Sequence, residues 1–152
     1  MSSPSDIAGA CVLELRQYTL QPGRRDELIA LFEHEFIEPQ EQAGARLLGT
    51  FRDLDDADRF VWLRGFADMS ARADALGTFY GGPIWKQHRD AANATIVDSD
   101  NVLLLRSLAC DQGLEAALQP RPPAGATLAA GGVFTIDWVV FPELLANAAV
   151  AT

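Results

Sequence analysis

The order of strand-like and helix-like segments limits the fold of this chain more than any other feature of its sequence. Residues 11–20 alternate between two faces, which is typical of a strand. Residues 24–43 carry apolar side chains at three- and four-residue spacing, which is typical of a helix that buries one stripe. Pro39 is expected to bend the last turns of this helix, and Gly44 is expected to end it.

The middle of the sequence predicts a hairpin. Residues 46–52 and 59–66 are largely apolar, and they flank the acidic turn at 53–58. In the second of these segments both faces are apolar, with Val61 and Leu63 on one side and Phe60 and Trp62 on the other. We therefore expect this strand to be covered on both faces.

A second helical region, broken in two, is predicted after the hairpin. Asp68 or Ser70 is suited to cap a helix over residues 71–79, and glycines at 81 and 82 interrupt it. Pro83 then suits the first turn of a second piece that runs to about Ala92. A turn at 98–100 leads into a fourth strand over residues 101–108.

The resulting order, β-α-β-β-α-β, predicts an α+β fold of the ferredoxin-like type. Such a split β-α-β unit forms an antiparallel sheet in the order 4-1-3-2, with both helices on one face. Strands that are apolar on both sides cannot leave the second face in water, because large exposed apolar patches mark interaction surfaces. Two copies are therefore expected to pack sheet to sheet as a homodimer.

Length and charge narrow the classes of function. The chain has 152 residues, enough for one domain, and its net charge of −9 has the wrong sign for a nucleic-acid-binding surface. No apolar stretch has the length of a membrane helix, and the first residues lack a signal-peptide pattern, so we expect a cytoplasmic protein without a membrane partner. The two cysteines, Cys11 and Cys110, belong to neighbouring strands and are expected to stay free in a reducing compartment.

The domain layout follows from composition. Residues 1–10 are expected to be a flexible N-terminus, residues 11–110 the folded domain, and residues 111–130 a linker rich in Pro, Ala and Gly. Residues 131–141 alternate again and predict a fifth strand, followed by a short helix from about 142 to 150. This C-terminal segment, 131–152, is expected to pack on its own domain or on that of a dimer mate.

Three stretches of sequence resemble a known family. The opening strand and turn, VLELRQYTLQPG from Val12, the run FYGGPIWKQHRDAANA from Phe79 and the strand DNVLLLR from Asp100 are similar to the NIPSNAP family. The resemblance implies the dimeric α+β barrel superfamily, in which ferredoxin-like subunits pair so that two sheets enclose a cavity. It implies a fold and a dimer more strongly than a reaction.

His88 is the preferred candidate for acid-base catalysis. A helix over 83–92 places it beside Ile84 and Ala91 at an apolar border, and imidazole titrates near neutral pH. The alternative is a histidine that only caps or packs the helix. Glu35 lies near an apolar stripe, where burial would raise its pKa, although the bend at Pro39 would instead turn it to solvent.

A binding surface is predicted on the first and third strands. Arg16 and Tyr18 share one face, as do Trp62 and Arg64, so a barrel lined by that face would offer cations and aromatic rings to an anionic or aromatic ligand. The alternative pairs Glu14 with a neighbouring arginine across the strands and leaves the rest as packing. Two further residues complete the predicted set of ligand contacts: Trp85 and Glu35.

These features predict a homodimer whose cavity binds a small, partly apolar metabolite and performs cofactor-independent acid-base chemistry, such as isomerisation or cyclisation. His88 would transfer the proton, while Arg16, Tyr18 and Arg64 would position an anionic or carbonyl group. No cofactor is predicted, and no metal site, because adjacent residues in the group His34, Glu35 and Glu38 point apart on a helix. Two alternatives stay open: a cofactor-free monooxygenase acting on an aromatic substrate, which the resemblance implies, and a non-catalytic ligand-binding or interaction module.

Overall fold

Four strands and four helices make up the described part of the chain, which in this computed structural model covers residues 11–106. The strands are β1 (Val12–Leu20), β2 (Arg46–Arg52), β3 (Arg59–Phe66) and β4 (Ile96–Arg106). The helices are α1 (Arg25–Leu31), α2 (Ile37–Gln42), α3 (Met69–Tyr80) and α4 (Pro83–Thr95), with a π-helical segment, Phe32–Phe36, between α1 and α2. The predicted β-α-β-β-α-β order is confirmed.

The sheet has the order β2-β3-β1-β4, and all of its neighbouring strands run antiparallel. This confirms the predicted 4-1-3-2 order and the ferredoxin-like class. The bounds of β2 and β3 agree with the predicted hairpin. Asp68 caps α3 by accepting a hydrogen bond from the amide of Ala71 at 2.7 Å, and Pro83 is the first residue of α4, as predicted.

The start of β4 differs from the prediction. The turn expected at 98–100 is instead part of the strand, which begins at Ile96 directly after α4. The prediction interpreted the Asp98 and Asp100 side chains as a turn signal. Pairing with β1 includes these residues through irregular register near Thr19, so the polar stretch stays in the sheet.

One face of the sheet carries the core. Alternate residues of the two central strands point toward the helices, and their large aromatic side chains are almost fully buried. Phe32 packs against Trp62 and Phe60, with ring centroids 4.8 and 5.4 Å apart, and Phe36 packs against Phe79 at 5.9 Å. These edge-to-face contacts join the first helical region to β3 and α3.

The π-helical segment explains how the first helical region keeps one face on the core. Four residues spaced four apart, Leu28, Phe32, Phe36 and Gln40, are all buried. In a regular α-helix each four-residue step drifts by about 40°, because 3.6 residues complete a turn, so the stripe would rotate away from the sheet. The wider π turn removes part of that drift. The region predicted as one helix over 24–43 is therefore a helix of three segments, and Gly44, with φ of 109°, follows its last turn as predicted.

A buried carboxylate joins the sheet to the helices. Glu14 is 0% exposed, and its Oε2 accepts hydrogen bonds from Arg64 Nε at 2.8 Å and Arg16 Nη1 at 3.0 Å. Its Oε1 accepts from Arg72 Nε at 2.6 Å, and Arg64 Nη1 donates to Gln40 Oε1 at 2.7 Å. We call these five residues the Glu14 cluster. It links β1, β3, α2 and α3.

The pKa of Glu14 reflects this environment. Burial by itself would raise the pKa, but the charge of Arg64 and the hydrogen bonds from Arg64, Arg16 and Arg72 outweigh burial and lower it below the ordinary value of 4.5. The carboxylate is therefore ionised at neutral pH. Because the folded state holds the proton less tightly than the unfolded chain does, this pairing stabilises the fold above the ordinary pKa.

The other face of the sheet is apolar and carries no helix in the described residues. Partners in the strand register share a face, so the apolar residues of this open face are Leu13, Leu15, Val61, Leu63, Leu103 and Leu105, and the polar residues Gln17, Thr19, Arg59 and Asn101 lie toward one end of it. Most of these side chains are half-buried, and Leu105 is exposed.

The cysteine expectation is wrong for Cys11, which is disulfide-bonded, and the described residues contain no free cysteine. The only other cysteine of the sequence, Cys110, lies outside the described residues. The predicted N-terminus 1–10, the linker 111–130 and the C-terminal segment 131–152 also lie outside them.

Within residues 11–106, no helix has the length and apolar character needed to cross a membrane.

Replacing Glu14 should test the cluster. Glu14→Gln should lower the free energy of unfolding by about 3 kcal/mol at about pH 7, because the arginines lose the carboxylate that compensates their charge. The wild-type protein should lose stability as the pH falls below 4.5, since the unfolded chain then takes up the proton first, and Glu14→Gln should lose most of this dependence. Urea denaturation across this pH range measures both effects.

Glu27→Gln is the matched control. Glu27 forms a surface pair with Arg24, and both side chains are largely exposed, so its removal should leave the urea midpoint almost unchanged. Equal effects of the two substitutions would contradict a structural role for the Glu14 cluster.

Candidate functional site

A cavity lies between the sheet and the helices. Its volume is about 210 Å³, which suits a molecule of roughly one substituted aromatic ring, since a cavity of ~150 Å³ holds benzene. Its lining comes from β1, β3, β4, the four helices and the π-helical segment. The lining residues are Arg16, Tyr18, Leu28, Phe32, Phe36, Gln40, Trp62, Phe79, Tyr80, Trp85, Ala92, Asn93, Ile96 and Ser99.

The walls of the cavity are mainly aromatic. Trp85 packs against Tyr80 with ring centroids 5.1 Å apart and against Phe36 at 5.5 Å. Tyr18 packs edge-on against Trp62 at 5.8 Å. Aromatic walls with a few convergent polar groups are the usual composition of small-molecule sites.

Two hydrogen-bond donors come from β1. The Arg16 guanidinium lies 5.4 Å from the Trp62 ring and 5.6 Å from the Tyr18 ring, and its Nε donates to the Tyr18 hydroxyl at 3.3 Å. Arg16 Nη1 is used by Glu14, while Nη2 has no partner among the described residues. Donors arranged in this way can stabilise a developing negative charge on oxygen.

Tyr18 is held in its neutral form. Burial raises its pKa, and the opposing effect of Arg16 is smaller, so the pKa lies above the ordinary value of 10.0. The hydroxyl accepts from Arg16, so its own hydrogen is available to another acceptor. Within the described residues, no protein group takes that hydrogen.

The structure brings together four of the residues predicted to contact a ligand. Arg16, Tyr18, Trp62 and Trp85 all line the cavity. They reach it from the helix side of the sheet and not from the open face, so the face predicted to line a barrel between two sheets is covered by this subunit's own helices. Arg64 lies behind the lining, where it stacks 4.8 Å from the Trp62 ring and supports Glu14 and Gln40.

His88 and Glu35 lie outside the lining and contact each other. His88 Nε2 is 3.5 Å from Glu35 Oε2, which links α4 to the π-helical segment. The imidazole also packs against Phe36, with ring centroids 6.3 Å apart, and Phe36 does line the cavity. His88 is thus one side chain away from the cavity, and an acid-base role for it remains a prediction.

Sequence reasoning missed Gln40 as a functional candidate. This residue lines the cavity and is 2% exposed, although a glutamine next to a proline carries no recognised motif. The available signal was its place in the four-residue repeat that begins at Leu28. That repeat becomes informative only if the helix contains a π turn.

Among the described residues, one fully buried side-chain donor has no hydrogen-bond partner, and no cluster is suited to a metal. Trp62 Nε1 is buried and has no hydrogen-bond partner there, and such a group calls for an explanation in a folded protein. No group of three or more His, Cys, Asp or Glu side chains within residues 11–106 is arranged to bind a metal ion.

Comparison with solved structures finds the same fold. An uncharacterised NIPSNAP domain protein from Burkholderia xenovorans is 20% identical, with a TM-score of 0.59, and the match covers 64% of this chain and 95% of that one. A NIPSNAP-like domain protein from the same organism is 26% identical, with a TM-score of 0.58 over 76% of this chain and 94% of that one. A candidate antibiotic biosynthesis monooxygenase from Chloroflexus aurantiacus is 15% identical, with a TM-score of 0.52 over 64% and 92%.

The sequence matches a family model but no individual curated protein. The NIPSNAP family model matches residues 13–109, which is more than half of the sequence and includes every strand and helix described above except the first residue of β1. The chain belongs to the NIPSNAP family.

Proposed function

We propose that this protein binds a small, partly aromatic metabolite in its helix-side cavity and catalyses proton transfer on it without a cofactor. The observation that supports this proposal is the donor pair of Arg16 and Tyr18, which lies among the aromatic walls of the cavity. A carbonyl or oxyanion at these donors would gain charge stabilisation as a proton leaves or returns at a neighbouring carbon. Isomerisation and cyclisation are reaction classes that need only this charge stabilisation and proton transfer.

His88 is the proposed acid-base group. It is separated from the cavity by Phe36, and Glu35 is placed to orient the imidazole. A shift of the π-helical segment that displaced Phe36 would open His88, on α4, to the cavity, because Phe36 is the side chain between them. Arg64 acts in this scheme through Glu14 and Gln40, not on the ligand itself.

Homodimerisation is part of the proposal. The open face presents apolar side chains on three adjacent strands, and a surface of this kind is stable in water only when covered. A second copy of the chain offers the same apolar surface, so two open faces would cover each other. The cavities would then lie on the outer sides of the paired sheets, one in each subunit.

A second candidate function is cofactor-free monooxygenation of an electron-rich aromatic compound. The aromatic walls of the cavity support it, as does the shared fold of the Chloroflexus aurantiacus protein, which is named as an antibiotic biosynthesis monooxygenase. Oxygen uptake in the presence of an electron-rich phenol would favour this alternative. Ligand affinity without any turnover would favour a non-catalytic binding module.

The donor pair can be tested with phenylpyruvate, which has one ring beside a carbonyl. Tyr18→Phe should weaken its binding about 3- to 10-fold, because one hydrogen bond is lost while the ring packing stays. Thr19→Val is the matched control, since it removes a hydroxyl from the next residue, on the opposite face of β1. Isothermal titration calorimetry measures both, and equal affinities of wild type and Tyr18→Phe would contradict the proposed role.

The acid-base role of His88 can be tested on the enol-to-keto conversion of phenylpyruvate, followed by ultraviolet absorbance. His88→Gln should lower kcat about 100-fold with little change in KM, as expected for loss of a proton-transfer group. His34→Gln is the matched control, because His34 is the other histidine and is exposed. Unchanged kcat in His88→Gln would remove this residue from the chemistry.

The dimer can be tested by placing a charge on the open face. We expect native mass spectrometry of the wild-type protein to give a dimer and Leu63→Glu to give a folded monomer, since a buried unpaired carboxylate opposes association. Leu54→Glu at the tip of the β2–β3 turn, where Leu54 is 80% exposed, should leave the dimer intact. A monomeric wild-type protein would refute this part of the proposal.

A further inference from the structure

The amide of Gln40 has a defined orientation. Arg64 Nη1 lies 2.7 Å from Gln40 Oε1, and a guanidinium group can only donate, so the amide oxygen must face Arg64. The amide NH₂ group is then directed elsewhere. Gln40 lines the cavity, and no acceptor in the described residues lies within hydrogen-bond distance of its nitrogen. Gln40 therefore presents a donor to the cavity.

The neighbouring polar groups have the same polarity. Tyr18 accepts from Arg16 and keeps its own hydrogen for a ligand, and Arg16 can only donate. Trp62 Nε1 is also a donor without an acceptor function, and it is buried without a partner among the described residues. Arg16, Tyr18, Gln40 and Trp62 all line the cavity, and each presents a donor for a reason visible in its contacts.

The charges near the cavity also favour an acceptor as the ligand. Glu14 compensates one positive charge, yet three arginines surround it, and none of the three guanidinium groups pairs with another carboxylate among the described residues, so two positive charges are left uncompensated. Among the described residues that line the cavity there is no aspartate or glutamate. An acceptor that also carries negative charge would balance both the donors and the excess positive charge.

We infer that the cavity is selective for a small aromatic carboxylate, and that Gln40 is a specificity-determining residue that donates to it together with Arg16 and Tyr18. The inference rests on the proposed function, since it concerns the same cavity. A carboxylate has two acceptor oxygens and no hydrogen to donate, which matches these groups. A neutral amide of the same shape would bring an NH₂ group that these donors do not match, while Tyr80, Asn93 and Ser99 are the other polar residues in the lining.

Benzoate and benzamide form a matched pair of probes. Isothermal titration calorimetry on the wild-type protein at neutral pH should give benzoate an affinity at least ~10-fold higher than that of benzamide. Equal affinities, or preference for benzamide, would overturn the inference and leave the proposed cavity function standing. Binding of neither probe would contradict both the inference and a cavity sized for one ring.

Gln40→Glu tests the specificity role while preserving the fold. The new side chain still accepts from Arg64, but it presents a carboxylate oxygen to the cavity where the amide presented a donor. We expect benzoate affinity to fall more than ~10-fold and benzamide affinity to change much less, a split that a merely structural role would not produce.

Two further variants serve as controls for this test. Gln42→Glu adds the same charge to an exposed residue of α2 and should not change the affinity ratio of the two probes. Gln40→Met removes the donor without adding charge and should weaken benzoate binding by a smaller factor than Gln40→Glu does. Unchanged benzoate affinity in Gln40→Glu, with circular dichroism showing a folded protein, would overturn the role of Gln40.

Discussion

The burial of one carboxylate, that of Glu14, is the constraint on which the rest of this structure depends. An isolated buried charge is strongly unfavourable, so this group requires its arginine partners to be present in the folded state. Those partners come from β1, β3 and α3, and Arg64 extends the link to Gln40 on α2. One electrostatic requirement therefore holds together the elements that surround the cavity and also sets the polarity of its lining.

Local patterns in the sequence were sufficient for most of the fold. The hairpin bounds were correct because an acidic turn separates two apolar runs, and α3 and α4 were found through Asp68 and Pro83. The start of β4 was predicted incorrectly, because Asp98 and Asp100 favour a turn locally. Pairing with β1, in contrast, is a contact between residues far apart in the chain. Non-local pairing of this kind overrides the local preference and is not visible in a window of a few residues.

Strand alternation also placed part of the candidate site. It showed that Arg16 and Tyr18 share a face, and that Trp62 lies with Arg64 on the strand beside them, but it could not show that the helices cover that face. From the sequence, an ion pair between Glu14 and an arginine and a ligand-binding surface that includes the arginines were alternatives. In the structure, the ion pair across the strands and the cavity lining share the same residues, since Arg16 contacts both Glu14 and Tyr18.

The π-helical segment has a consequence for how this region of the chain can change. Leu28, Phe32, Phe36 and Gln40 reach the sheet because one turn of the helix is wider than the others. If the eight residue steps from Phe32 to Gln40 were regular α-helix, they would span about 800° and turn Gln40 about 80° away from the direction of Phe32. Loss of the π turn together with one residue would leave about 700° and keep Gln40 directed toward the sheet. The segment between Phe32 and Gln40 can therefore lose one residue by becoming a regular helix without turning Gln40 away from the sheet, whereas a further inserted residue would add about 100° of rotation unless the helix widened again.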